Sequence, residues 1–66
     1  MKNTLKATRE KRGLTQEQLA ALVCVSRQSI ISVEKSQYIP TTLLALKLAA
    51  SLKVKVEDLF VLEKGD

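Results

Sequence analysis

Sixty-six residues with one cysteine, no histidine and a formal net charge of +4 make one small domain, spanning 1–66. An internal disulfide and a Cys/His zinc site are excluded, and a single unpaired thiol suits a reducing compartment, so a cytoplasmic location is expected. The longest apolar run, LAALVCV (19–25), is far short of a membrane span, and the start of the chain has no signal-like apolar stretch.

Along the chain, residues 4–12 form a first helical segment with Leu5 and Ala7 among charges. Gly13 follows, at the place where a left-handed residue ends a helix. Lys2, Lys6, Arg9, Lys11 and Arg12 all precede it, which suits either contact with a polyanion or a solvated helix face. The second segment starts at Thr15, with Gln18 at capping-box spacing, and Leu19, Ala20 and Leu22 give it a buried side. It should end near Val23.

The third segment starts at Ser26, a good N-cap. Ile30, Val33 and Glu34 share one face, and the helix should stop near Lys35 or Ser36. Pro40 disfavours helix at Ile39, so Tyr38-Ile39-Pro40 reads as a loop. Thr41 can cap the fourth segment, 42–52, where Leu44, Ala45, Leu48, Ala49 and Leu52 form one apolar stripe. Leu43, Leu46 and Ala50 form a second stripe, which belongs either to the core or to a second subunit. VEDLF (56–60) is a short fifth helix. VLE (61–63) has strand character and needs a partner strand, either residues 1–3 or a second subunit.

Segments two and three make a helix, a tight turn and a helix at about 15–36. Ala20 is small where the helices approach, Val25 anchors the turn, and Ile30 and Val33 seat the second helix. Ser26, Arg27, Gln28, Ser29 and Ser32 are left outside. Arginine can donate two hydrogen bonds to guanine O6 and N7, and glutamine can bond adenine N6 and N7. A pair of helices of this kind sets the start of its second helix against base edges. No nucleophile-and-base pair, glycine-rich phosphate loop or carboxylate cluster appears, so no enzyme, cofactor or small-molecule ligand is expected.

TQEQLAALVCVSRQSIISVEKSQYIP resembles the Cro/C1-type (XRE) helix-turn-helix regulators, with the likeness running upstream through Leu5, Arg9, Gly13, Leu14 and Thr15 and downstream through ALKLAASLKVKVEDLF. The resemblance implies an all-α, five-helix lambda-repressor-like domain, to which the strand character of VLE would add a short C-terminal strand. It implies a dimeric repressor on a two-fold symmetric operator of double-stranded DNA. On this sequence, Arg27, Gln28 and Ser32 would face bases. Thr15, Gln16, Ser26, Ser29, Lys35 and Tyr38 would lie near phosphates. Arg9 would pair structurally with Glu34. Leu43, Leu46, Leu59, Phe60 and Leu62 are the candidate homodimer surface. The competing reading is a protein-interaction module or antitoxin-like subunit on the same fold.

Four departures stand out. Cys24 occupies a turn position that often carries glycine, and is read as a small packing residue. Ile31 stands where polar residues are common, and either touches a thymine methyl or is simply exposed. Ile39 replaces a frequent asparagine, and Thr42 a frequent leucine.

Overall fold

The computed structural model describes residues 1–66. In chain order the elements are β1 (Lys2–Asn3), α1 (Leu5–Lys11), α2 (Gln16–Leu22), α3 (Arg27–Glu34), α4 (Thr42–Leu52), α5 (Val56–Leu59) and β2 (Phe60–Val61). The fold is all-α apart from one antiparallel pair of two-residue strands, in which Lys2 faces Val61 and Asn3 faces Phe60. The C-terminal strand thus finds its partner within the chain. It begins one residue earlier than VLE suggests, so Phe60 leaves helix five and joins β2.

The starts of α2, α3 and α4 are each built by a side chain that the sequence displays. Thr15 Oγ1 accepts from the Gln18 N–H at 3.0 Å, and Gln18 Oε1 accepts from the Thr15 N–H at 2.9 Å. That reciprocal pair satisfies two donors that helix geometry leaves free. Ser26 and Thr41 cap α3 and α4 by accepting from the N–H groups of Ser29 and Leu44.

The helix ends follow one design four times. Gly13, Cys24, Ser36 and Lys53 all have φ between 58° and 72°. After each comes a residue whose N–H reaches five back: Leu14 to Arg9, Val25 to Ala20, Gln37 to Ser32 and Val54 to Ala49. This is the Schellman closure, which satisfies carbonyls the helix leaves open and turns the chain sharply. Only the first uses glycine.

Eleven apolar side chains from all five helices form one core, with Leu5, Leu19, Ile30, Val33, Leu48, Leu52 and Leu59 fully shielded. Three expectations are corrected here. Leu22, read as part of the buried side of α2, is 58% exposed, and only Leu19 and Ala20 of that set face the core. Leu59, read as an interface residue, has 0% exposure, because its helix turns it inward beneath α4. Cys24, read as a packing residue, is exposed, because its left-handed backbone points the side chain away from the core. Phe60 is half-buried against the core, and Ala45 is only half-buried on the inner stripe of α4.

The two ends of the chain are tied together. The Met1 amine lies 3.2 Å from Glu63 and 3.3 Å from Asp66. Hydrogen bonding to Glu63, then to Asp66, raises the amine pKa above its usual value. Donation from the Glu63 backbone, then from the amine, lowers that of Asp66.

Candidate nucleic-acid interface

The exposed start of α3 is held in place from behind. α2 and α3 pack across Leu19, Ala20, Ile30 and Val33, all buried. Ala20 leaves room for the crossing, and its carbonyl closes the turn by accepting from the Val25 N–H at 3.0 Å. Val25 itself is half-buried against the core.

A second brace fixes the far end of α3. Arg9 Nε donates to Glu34 Oε2 at 2.7 Å and Arg9 Nη2 to Glu34 Oε1 at 3.4 Å. Both side chains are almost fully shielded, at 9% and 4% exposure. The third guanidinium nitrogen, Nη1, donates to the Leu14 carbonyl at 2.8 Å. Gln16 Nε2 also donates to Glu34 Oε1, at 3.0 Å. One carboxylate therefore joins α1, the start of α2 and the end of α3. A buried charge needs such company, since desolvation is costly unless the remaining lone pairs are occupied. The expected pair of Arg9 and Glu34 is present, and Gln16 is a third member that the sequence reading did not assign.

Asn3 is a further support that the reading missed. Its Nδ2 donates to the Val33 carbonyl at 2.9 Å and to Ser36 Oγ at 3.1 Å. It thereby hangs β1 on the last turn of α3. Nothing in the sequence around Asn3 signals this, because the contact spans thirty residues of chain.

On the outer side, Arg27 and Gln28 occupy the first turn of α3, both exposed. Arg27 makes no ion pair within the chain. Gln28 Nε2 reaches Ser32 Oγ only at 3.5 Å, one turn on. Ser26 and Ser29 approach each other at 3.1 Å through their hydroxyls. With Gln28, Ser32 and Tyr38 they line a shallow hollow of about 240 Å³. On the other side of Arg27, a larger open groove of about 580 Å³ runs past Gly13, Thr15 and Gln16. Lys35, which is exposed, caps the end of α3. The residues read as base-facing and those read as phosphate-facing thus lie on or beside one helix, α3. No cluster of metal-ligating side chains occurs, and no helix is long and apolar enough to cross a membrane.

Large apolar side chains are also exposed on α4 and in the C-terminal tail. Leu43, Leu46 and Leu62 are 63%, 54% and 79% exposed. Leu46 borders an apolar hollow of about 220 Å³ with Met1, Ile39, Pro40, Val56 and Phe60.

Comparison with known proteins agrees with this architecture. A family model described as helix-turn-helix matches residues 5–59. An uncharacterised HTH-type transcriptional regulator of Methanocaldococcus jannaschii is 51% identical over 66 residues, covering all of both chains. The uncharacterised HTH-type transcriptional regulator YgzD of Bacillus subtilis is 44% identical over 64 residues, covering 97% of each. Among solved structures, the restriction-modification controller protein C.AhdI from Aeromonas hydrophila superposes with a TM-score of 0.79 at 36% identity, covering 85% of each chain. The chain belongs to the Cro/C1-type (XRE) helix-turn-helix family of DNA-binding transcriptional regulators.

Proposed function

We propose that this regulator is a cytoplasmic repressor that binds a two-fold symmetric operator as a homodimer, each copy laying α3 in the major groove. The observation that carries the proposal is the start of α3: Arg27 and Gln28 are exposed on a braced helix, with the guanidinium unpaired. Their side chains offer the donor patterns that read guanine and adenine edges. Ser32 sits one turn on from Gln28, in reach of the same groove. Thr15, Gln16, Ser26, Ser29, Lys35 and Tyr38 flank this line on both sides, where the phosphate strands of a duplex would run. Gln16 keeps a second amide N–H for a phosphate oxygen, since one suffices for Glu34.

The homodimer rests on the exposed leucines of α4 and the tail. Leu43, Leu46 and Leu62, with the half-buried Phe60, supply apolar area that one copy leaves open to water. Repression is the simplest result of such binding, since an occupied promoter is closed to other proteins.

The test is selection of bound duplexes from a randomised pool, near ~0.15 M salt with nonspecific competitor to suppress purely electrostatic binding. The expected result is a motif with two half-sites about one helical turn, ~34 Å, apart. A folded protein that selects no motif would sink the proposal and leave a protein-interaction role on the same fold.

A further inference from the structure

Arg27, Gln28 and Ser32 account for the polar part of the reading face, and Ile31 is left in the middle of it. Ile31 lies four residues after Arg27, four before Lys35 and three after Gln28, so it neighbours all three on the helix surface. It is half-buried, yet it is not among the half-buried apolar residues that pack on the core, which are Leu14, Val25, Val54, Val56 and Phe60. The inner side of α3 is filled by Ile30 and Val33. Ile31 therefore gives the fold little and presents a branched apolar group among hydrogen-bonding ones.

We propose that Ile31 is a specificity-determining residue that selects thymine by packing on its 5-methyl group. The inference rests on the reading of α3 as the groove-bound helix. In unmodified DNA, the thymine methyl is the one apolar group at the major-groove edge of the bases. An isoleucine there gains by covering that methyl. It also disfavours cytosine, whose amino group it cannot accept a hydrogen bond from. Arg27, Gln28 and Ile31 then present three different chemistries to three kinds of base: guanine, adenine and thymine. Ile31 is stiff at its first side-chain torsion in a helix, which holds the methyl groups in a fixed direction.

The test uses the selected operator. Each thymine is replaced in turn by deoxyuridine, which removes the methyl and leaves base pairing intact. For the native protein, one thymine per half-site should stand out, with binding about fourfold weaker on removal of one buried methyl. Ile31→Ala should bind the thymine and deoxyuridine operators equally, while Ile31→Val, which keeps the branched methyls, should retain the discrimination. Circular dichroism of both variants should match the native protein, since neither change touches the core. Equal binding of the native protein to every deoxyuridine operator would overturn the inference. So would an Ile31→Ala variant that still discriminates at the same position, since another side chain would then read the methyl. Failure to select any operator would remove the regulator reading and this one with it. An operator that is selected but indifferent to its methyls would remove this one alone.

Discussion

Arg27 and Cys24 sit three residues apart and illustrate two ways in which one side chain matters. Arg27 is exposed and makes no ion pair, so its removal leaves the fold untouched. Arg27→Ala should weaken operator binding by about 1–3 kcal/mol and relax preference at one base pair. Competition binding against operators varied at each position would show this. A loss that is uniform across sequences would make Arg27 a phosphate contact instead. Cys24 acts through its backbone. At φ 59° its Cβ crowds the backbone of the preceding peptide, whereas glycine takes that conformation freely. Cys24→Gly should raise stability by up to about 1 kcal/mol, read as a higher urea midpoint with an unchanged slope. An unchanged or lower midpoint would mean that the exposed thiol side chain has contacts worth as much as the strain.

At the scale of elements, α3 is the product of three attachments. Its first turn is capped by Ser26, its middle is packed on α2, and its end is held through Glu34 and Asn3. Losing Glu34 would leave the Arg9 guanidinium buried without its counter-charge. Glu34→Ala should therefore cost about 3–5 kcal/mol, much of the stability a domain of this size has. Thermal unfolding should show a large drop, and a change within 1 kcal/mol would mean that Arg9 finds solvent when its partner is gone. Lys35 lies just past this brace and is free of it. Lys35→Ala should leave the unfolding curve in place and lower the slope of log binding constant against log salt by about one phosphate contact. A salt slope equal to that of the native protein would remove Lys35 from the phosphate set.

For the whole molecule, the division between inner and outer leucines decides what assembly can do. Leu44, Leu48 and Leu52 of α4 close the core, while Leu43 and Leu46 of the same helix face water. Leu46→Asp should leave a folded monomer, seen by sedimentation velocity, and weaken operator binding by loss of the paired half-site. Leu59→Ala should instead destabilise the fold by about 2–5 kcal/mol, because it opens a cavity in the core. A native protein that sediments as a monomer, both free and on DNA, would overturn the homodimer.

Local chemistry determined much of this protein in advance. The caps Thr15, Ser26 and Thr41, the glycine that ends α1 and the inner stripe of α4 are each written within a few residues, and each lies where the sequence places it. The same holds for the side of α3 that faces out, because a 3.6-residue repeat assigns Ile30 and Val33 inward and Arg27 and Gln28 outward. Other features depended on residues far apart in the chain. Three of the four left-handed turns use cysteine, serine and lysine, residue types that do not favour that conformation, and at Ser36 and Lys53 nothing in the neighbouring residues announces it. Leu59 and Leu62 look alike in the sequence, and only the turn from α5 into β2 sends one to 0% and the other to 79% exposure. The second partner of Glu34, Gln16, and the reach of Asn3 to α3 likewise exist only once the helices have met. Periodicity and capping act over one or two turns of helix, whereas burial and ion pairing are settled by which elements become neighbours.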